Sequence, residues 1–226
     1  MEQAATIEKD TRQQNRSDLW KTLRKFRFTA SKFGYVCKRK LFNSEFIKQF
    51  VCPPDISHIK AVAHGVKSEQ LAINAFLKVY NQFTHYKCAL IVHPYAIHLG
   101  ASPDGILYDA IFSSFGVLEV KCPCSGRANS LEEYTRLKTF RMSYEQNKEL
   151  RLKTNHNYFY QIQGQMLITG LSWAYFVVFI AKTQQIVCDK ILFDQIFCLE
   201  MYQKLTQRYD EHLKDVVVLD VTEDVT

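Results

Sequence analysis

Apolar positions recur with two periods along the chain, and these periods predict its elements. Strict alternation of apolar and polar residues is typical of strands, whereas a repeat of three to four residues is typical of helices. We predict strands at 84–92, 97–101, 105–108, 117–121, 173–181 and 185–192. We predict helices from Ser17, Ser31 and Ser57, where serine can act as an N-cap, and further helices at 129–152, 158–169 and 193–213. This order predicts an α+β protein whose middle strands form a meander.

No repeat, low-complexity tract or flexible linker divides the chain. Its 226 residues, 47% of them hydrophobic, are sufficient for one sizeable core. We therefore predict a single domain over 1–226, with flexible tails at 1–17 and 215–226.

The sequence gives no sign of a membrane span or a disulfide framework. The longest apolar run, 173–181, is too short to cross a bilayer, and the polar N-terminus does not resemble a secretory signal. The seven cysteines are odd in number and irregularly spaced. We expect an intracellular protein, nuclear or cytoplasmic, that is not secreted and does not act at a membrane.

Positive charge is concentrated near the N-terminus. The formal net charge is +6, and between Arg12 and Lys40 ten basic residues accompany a single acid, Asp18. A nucleic acid would suit such a segment, but a solvated basic face explains it equally well. Charge alone leaves both interpretations open.

One predicted strand carries two charged side chains on the same face. Because side chains alternate along a strand, Leu118 and Val120 point to one side, and Glu119 and Lys121 point to the other. In a nuclease, Glu119 would bind a metal ion while Lys121 positions the attacking water and stabilises charge. A surface ion pair explains the same spacing, so the Glu-x-Lys pattern is weak by itself.

Asp104 strengthens the hypothesis of a metal site. It lies between Pro103 and Gly105, which favour a sharp turn, shortly upstream of the strand that contains Glu119. Two converging carboxylates offer the hard oxygen ligands that Mg²⁺ prefers beside a phosphate. An ordinary turn aspartate is the alternative.

Glu69 interrupts an apolar stripe on the helix predicted to end near Tyr80. The stripe consists of Val62, Val66, Ile73, Phe76, Leu77 and Tyr80. A carboxylate facing inward is costly unless a cation accompanies it, so we expect Lys121 or a metal ion beside Glu69. A structural ion pair and a metal site both remain open.

The predicted helix 158–169 is rich in amide side chains. Gln161, Gln163 and Gln165 could each hold a water or a phosphate, and a polar surface stripe would explain them without any function. Periodicity does not choose among the three.

An ordered set of motifs resembles one protein family. The motifs are Thr29-Ala30-Ser31, Glu69, Ser102-Pro103-Asp104-Gly105, Leu118-Glu119-Val120-Lys121-Cys122-Pro123 and Tyr160-Gln161-Ile162-Gln163-Gly164-Gln165. Together they are similar to the YqaJ-type viral recombinases, the group that includes lambda exonuclease. The resemblance implies a restriction-endonuclease-like PD-(D/E)XK core, in which helices flank a mixed central sheet.

The resemblance also implies roles for individual residues. Asp104 and Glu119 would bind Mg²⁺, with Mn²⁺ as a substitute, and Lys121 would lie beside the attacking water. Glu69 matches the family's additional helical acid, and Gln161 matches its active-site glutamine better than Gln163 does. Three further residues would bind DNA: Arg24, Ser31 and Arg127.

The implied activity is exonuclease digestion of duplex DNA ends. Digestion from 5′ to 3′ would release 5′-nucleotides and expose a single strand for recombination or replication. Lambda-type relatives form a ring of three subunits and deliver the strand to an annealing protein, which implies a homotrimer and such a partner here. The segment from Cys124 to His156 departs from the family pattern.

Three alternatives remain. The same core could act as a structure-specific or site-specific endonuclease, or as a non-catalytic DNA-binding protein derived from a mobile element. Cys122 and Cys124 could bind zinc with a histidine, but they lack the two-residue spacing of common zinc pairs and a companion pair. Every expected catalytic position is occupied, which favours the nuclease.

Overall fold

The computed structural model describes residues 7–12, 14, 18–56, 58–145 and 149–216. Two predicted N-caps, Ser17 and Ser57, and the outer parts of the predicted tails lie outside these residues. The single domain over 1–226 and the tail boundaries stay predictions. Within the described ranges, no helix is both long and apolar enough to cross a membrane.

Helices and strands alternate along the described chain. The helices are α1 (Asp18–Arg24), α2 (Ala30–Lys38), α3 (Ser44–Val51), α4 (Lys60–Val79), α5 (Leu131–Thr135), α6 (Asn157–Thr169) and α7 (Gln195–His212). The strands are β1 (Phe28–Thr29), β2 (Phe83–Tyr86), β3 (Ile91–Val92), β4 (Leu99–Ala101), β5 (Gly105–Asp109), β6 (Ser114–Lys121), β7 (Met142–Tyr144), β8 (Leu150–Leu152), β9 (Trp173–Ile180) and β10 (Gln185–Leu192).

A mixed five-stranded sheet forms the centre, in the order β10-β9-β6-β5-β2. Strand β6 pairs in parallel with β9 and antiparallel with β5, whereas the outer pairs are antiparallel. The segment from α5 to α6 connects the two parallel strands. Strand β6 therefore pairs with β5 along residues 114–118 and with β9 along residues 117–121.

The two faces of this sheet pack against different helices. Leu118 and Val120 of β6 belong to a core with Ile73 and Phe76 of α4. On the opposite face, Val117 belongs to a core with residues of α6 and β9, among them Ile162, Met166 and Phe176. Because side chains alternate, Glu119 and Lys121 point to the face that α6 covers.

A further layer packs outside α6. The three-stranded sheet β1-β4-β3 and the helices α2, α3 and α7 enclose an apolar core that contains Phe28, Phe33, Met201 and Leu205. Helix α2 approaches α6 so closely that a Cβ atom at Gly164 would lie 2.4 Å from the Phe33 ring. Glycine at this position therefore permits the contact.

The strands predicted at 105–108, 117–121, 173–181 and 185–192 are confirmed. The helices predicted at 158–169 and 193–213 are confirmed as well. The observed boundaries differ from the predicted ones by at most three residues. The predicted meander is confirmed for β2, β5 and β6. The predicted strand 84–92 is wrong as a single element, because the chain leaves the main sheet after Tyr86 and joins a different sheet at Ile91.

The helix expected at 129–152 is also wrong. A capping box between Ser130 and Glu133 begins only the short helix α5, and a hairpin of β7 and β8 follows. Met142 and Leu152 of this hairpin are buried in the core beneath α6. Burial of this cross-strand pair therefore outweighs the helical propensity of the polar residues between them.

Ser31 is not the N-cap of α2. That position is held by Thr29, whose extended backbone (φ −100°, ψ 150°) continues strand β1. Thr29 and Ser31 instead place their hydroxyl oxygens 3.4 Å apart.

Candidate active site

The turn between β4 and β5 fixes Asp104 against β6. Its Oδ2 accepts a hydrogen bond from the backbone N–H of Val120 at 2.7 Å, and its own N–H donates to the carbonyl of Leu118 at 3.1 Å. His85 Nε2 lies 3.1 Å from the Asp104 carbonyl oxygen. A Cβ atom at Gly105 would lie 2.0 Å from the same nitrogen, so this position requires glycine.

Glu119 is buried beneath α6, with only 2% of its surface exposed. Gln161 Nε2 donates to Oε1 at 2.5 Å, and Gln165 Nε2 donates to Oε2 at 2.6 Å. Lys121 Nζ also contacts Oε1. A buried carboxylate needs such donors, and here each oxygen has at least one.

Lys121 is the ammonium group of this site. Burial would lower its pKa, but the neighbouring Glu119 and Asp104 carboxylates raise the pKa above its ordinary value. Lys121 Nζ also lies 5.1 Å from the centre of the Tyr158 ring, a cation–π distance. Lys121 is therefore positively charged at neutral pH.

Glu69 reaches the same site from α4. Burial raises the pKa of its carboxyl, and the charge of Glu119 raises it further. In the described part of the chain Glu69 forms no ion pair, because Lys121 contacts Glu119 instead. The predicted apolar stripe is wrong at its N-terminal end, where Val66 is 44% exposed.

The site carries an excess of negative charge, which fits a bound cation. Burial raises the pKa of Asp104 well above its ordinary value, and the carboxylates of Glu119 and Glu69 add to this effect. Three carboxylates thus share a single ammonium. Asp104 and Glu119 could offer two hard oxygen ligands, and Mg²⁺ commonly completes its coordination with water and substrate oxygens. Among the described residues, no group of three or more His, Cys, Asp or Glu side chains is placed so that it could hold a metal ion by itself.

A cavity of about 540 Å³ opens beside these groups. It lies between α4, α6 and the chain that follows β6. Its walls include Glu69, Asp104, Lys121, Tyr158 and Arg141. Charged groups and apolar walls therefore meet in one concave space that can admit a ligand.

A second group of polar side chains surrounds Arg24. Its guanidinium lies 4.1 Å from the centre of the Trp20 ring and donates to Ser102 Oγ at 3.3 Å and to Thr29 Oγ1 at 3.2 Å. Burial lowers the pKa of Arg24 to about 10. Lys32 is close enough that Arg24 lowers its pKa, after the larger effect of burial. We name these residues, with Ser31, the Arg24 pocket.

The family model of the YqaJ-like viral recombinase domain matches residues 19–172. The chain belongs to this family. The match contains Arg24, Glu69, Asp104, Glu119 and Gln161, so the predicted family is confirmed. A search of curated proteins gives no match.

Solved structures confirm the fold of this YqaJ family member. The alkaline exonuclease LHK-Exo from Laribacter hongkongensis is 21% identical, with a TM-score of 0.67 over 92% of this chain and 98% of that chain. The Shutoff and Exonuclease Protein from Kaposi's sarcoma-associated herpesvirus is 12% identical, with a TM-score of 0.60 over 92% and 72% of the two chains. The predicted PD-(D/E)XK fold, a mixed sheet flanked by helices, is therefore confirmed.

The structure distinguishes the roles of the three glutamines among which periodicity did not choose. Gln161 and Gln165 both hold Glu119, whereas Gln163 donates to the Leu192 carbonyl at 2.8 Å and accepts from the Asp194 N–H at 3.0 Å. Gln165 was not assigned a role from the sequence. Its position one helical turn after Gln161 was the available signal.

Two further predictions concern residues other than the carboxylates and Lys121. Arg127 lies in a 3₁₀ turn (Cys124–Arg127) near His64 of α4, and it is not among the residues that line the cavity. Cys122 and Cys124 do line the cavity. Burial raises the pKa of Cys122 to about 12, and the Asp104 and Glu69 charges contribute. Within the described residues, these two cysteines are not part of any group of three His, Cys, Asp or Glu side chains that could hold a metal ion.

Proposed function

We propose that this YqaJ family member is a metal-dependent exonuclease that digests duplex DNA from its ends. Family membership and the fold shared with alkaline exonucleases support the exonuclease activity. The observation that carries the proposal is that Asp104, Glu69 and Lys121 line one cavity and that Glu119 lies directly behind it, in contact with Lys121. LHK-Exo was solved in complex with dAMP, which supports a deoxynucleotide substrate. The herpesvirus protein SOX was solved in one complex with DNA and in another with RNA.

Asp104 and Glu119 would hold the ion, which we propose is Mg²⁺ with Mn²⁺ as a substitute. When bound, a divalent cation polarises a phosphodiester oxygen and offsets negative charge at the reacting phosphate. Both carboxylates are held in place before it binds: Asp104 by the Val120 N–H, and Glu119 by two amides of α6. Such preorganisation reduces the reorganisation that the reaction requires.

Lys121 and Glu69 complete the proposed chemistry. The Lys121 ammonium would stabilise the negative charge that develops on the phosphate and would orient the attacking water. Glu69, on the opposite wall, would accept a hydrogen bond from that water. Gln161 and Gln165 would keep Glu119 directed toward the ion. The products of hydrolysis are a 5′-phosphorylated nucleotide and a shortened strand.

The Arg24 pocket supports digestion that starts at a 5′ end. An arginine and a lysine accompany the hydroxyls of Thr29 and Ser31, and in the described residues neither cation forms an ion pair. A terminal phosphate would bring both charge and acceptors to this pocket. We therefore propose 5′-to-3′ polarity, with Arg24 and Ser31 as phosphate-binding residues and Arg127 as a DNA contact at the rim.

The family resemblance supports two further proposals. Three copies would form a ring that retains the duplex, and the exposed strand would pass to an annealing protein for recombination or replication. A DNA substrate also supports an intracellular site of action. The mass of the assembly in solution tests the trimer directly.

One assay tests the proposed function. Linear and closed circular duplexes of the same sequence are incubated with Mg²⁺, with Mn²⁺ or with a chelator, and products are followed over time. We expect mononucleotides from the linear duplex only, in the presence of either metal, and none from the Asp104→Ala variant. Cleavage of closed circles would establish an endonuclease instead, and DNA binding without cleavage in either metal would establish a non-catalytic protein.

A further inference from the structure

Four basic side chains gather where α6 begins. Lys38 ends α2, Arg141 precedes β7, Lys153 follows β8, and His156 is the N-cap of α6. The Lys153 N–H donates to the Arg141 carbonyl at 3.2 Å, and the His156 N–H donates to the Lys153 carbonyl at 2.9 Å. Lys38 Nζ donates to Asn157 Oδ1 at 2.8 Å. We name Lys38, Arg141, Lys153 and His156 the His156 cluster.

The charge of this cluster is not compensated within the described residues. Lys38, Arg141 and Lys153 are exposed, and none of them forms an ion pair there. The nearby acids of the hairpin, Glu145 and Glu149, contact Arg151 instead. Lys38 Nζ also donates to the Asn155 carbonyl oxygen and lies 4.7 Å from the centre of the Tyr160 ring, contacts that leave its charge without an acidic partner. All three cations can therefore attract an external anion.

His156 contributes a hydrogen-bond donor rather than a fourth charge. Burial lowers its pKa to about 4, and the charges of Arg141, Lys38 and Lys153 contribute, so the ring is neutral at pH 7. His156 Nδ1 accepts the N–H of Tyr158 at 3.1 Å. A neutral imidazole then carries its proton on Nε2, where it can donate to a phosphate oxygen.

The His156 cluster is continuous with the candidate active site. The His156 ring lies 4.6 Å from the Tyr158 ring, and the Tyr158 ring lies 5.1 Å from Lys121 Nζ. Arg141 and Tyr158 also line the cavity that contains Lys121. An extended ligand, such as a DNA strand, that leaves the cavity past Tyr158 therefore reaches the His156 cluster first.

We propose that the His156 cluster binds backbone phosphates of the DNA strand that enters the cavity, close to the scissile phosphate. This inference rests on the proposed function. The position follows because two contacts, of 4.6 Å and 5.1 Å, connect the His156 ring through Tyr158 to Lys121 Nζ. Contacts of this kind position the duplex without reading its sequence.

Binding and its salt dependence test the proposal. Affinity for a fluorescent duplex is measured in chelator at several salt concentrations for the wild type, Lys153→Ala and the double variant Lys38→Ala/Lys153→Ala. We expect the slope of log K against log salt to fall by ~0.7–0.9 for each phosphate contact removed. Lys153→Glu should weaken binding more than Lys153→Ala, and Lys153→Arg should restore the wild-type slope. The matched control, Lys78→Ala on the exposed face of α4, should leave the slope unchanged.

Cleavage kinetics separate this proposal from the proposed function. In Mg²⁺, Lys153→Ala should raise KM several-fold and leave kcat near the wild-type value, because Lys153 lies outside the cavity wall. An unchanged slope and KM in the double variant, with normal wild-type cleavage, would overturn the His156 cluster alone. Absence of wild-type cleavage, with the slope changes present, would overturn the nuclease and leave the DNA-binding cluster intact.

Discussion

Two charged regions meet at the short segment 102–104, and their excess charges have opposite signs. Around Asp104, three carboxylates share the ammonium of Lys121. Around Ser102, Arg24 and Lys32 are accompanied by hydroxyl groups, and the described residues offer these cations no acid. A single residue, Pro103, separates Ser102 of the second region from Asp104 of the first.

The pKa values of the two regions shift in opposite directions, and burial is the main cause in both. The Asp104 carboxyl has a raised pKa because burial and neighbouring acids disfavour its charge. The Arg24 guanidinium has a lowered pKa, about 10, because burial disfavours its charge. Groups held in such an unfavourable state are common where a ligand supplies the missing charge. A complex with a metal ion and DNA would supply both missing charges: a cation for the first region and a phosphate for the second.

The largest expected effect comes from removing the ammonium of the carboxylate centre. Lys121→Ala should lower kcat by about 10²–10³-fold or more, because Lys121 is the cation that contacts Glu119 and would stabilise the developing charge. DNA affinity in chelator should stay nearly unchanged, since the Arg24 pocket and the His156 cluster remain. Single-turnover cleavage of a linear duplex measures the loss, and near-normal turnover would contradict the mechanism.

Removal of one amide from Glu119 should have a smaller effect. Gln165→Leu leaves one oxygen of a buried carboxylate without its donor, and loss of such a supporting contact commonly costs about 10–100-fold in metal affinity or activity. The Mg²⁺ concentration for half-maximal cleavage should rise.

Gln163→Leu provides the matched control for that variant. Gln163 is equally buried but holds Leu192 and Asp194, so this change should lower the melting temperature without moving the Mg²⁺ midpoint. Equal Mg²⁺ midpoints in the two variants would remove the distinction between these glutamines.

The carboxylate centre was more predictable from sequence than its supports. Asp104, Glu119 and Lys121 lie within one turn and one strand, where local patterns place side chains reliably. Gln161 and Gln165 reach Glu119 from α6, more than 40 residues later in the chain. Such a contact depends on how α6 packs across the sheet, which periodicity does not specify.

The errors in the predicted elements have the same origin. The hairpin of β7 and β8 forms because Met142 and Leu152 fill the core beneath α6, not because of a strong local strand pattern. The Arg24 pocket similarly depends on Ser102, which lies 78 residues after Arg24. Local sequence pattern predicted the turn and the strand that contain Asp104, Glu119 and Lys121. Tertiary packing determined which side chains of other elements contact these residues.

The Arg24 pocket should contribute to the choice of DNA end. Wild-type protein should digest 5′-phosphorylated ends faster than 5′-hydroxyl ends, and Arg24→Ala should reduce this preference by about tenfold, the value of one charge-assisted hydrogen bond. Initial rates on the two linear substrates measure the ratio. Lys25→Ala, which removes an exposed neighbouring charge, is the control and should keep the preference. Equal wild-type rates on both ends would remove the assignment of this pocket.

The smallest expected effect concerns stability without metal. A carboxyl with a raised pKa in the folded protein binds more protons than in the unfolded chain, so its contribution to stability falls as pH rises above about 3.8. Asp104→Asn removes this penalty while its side-chain oxygen can still accept the Val120 N–H. The variant should therefore melt a few degrees higher than the wild type at pH 7 in chelator, and the difference should shrink toward pH 4. Added Mg²⁺ should raise the melting temperature of the wild type more than that of the variant, because a bound ion stabilises only a fold that holds it. A variant that melts lower than the wild type at pH 7 in chelator would show that the Asp104 charge is already compensated. The region around Asp104 would then have no uncompensated negative charge, and the contrast with the Arg24 pocket would be lost.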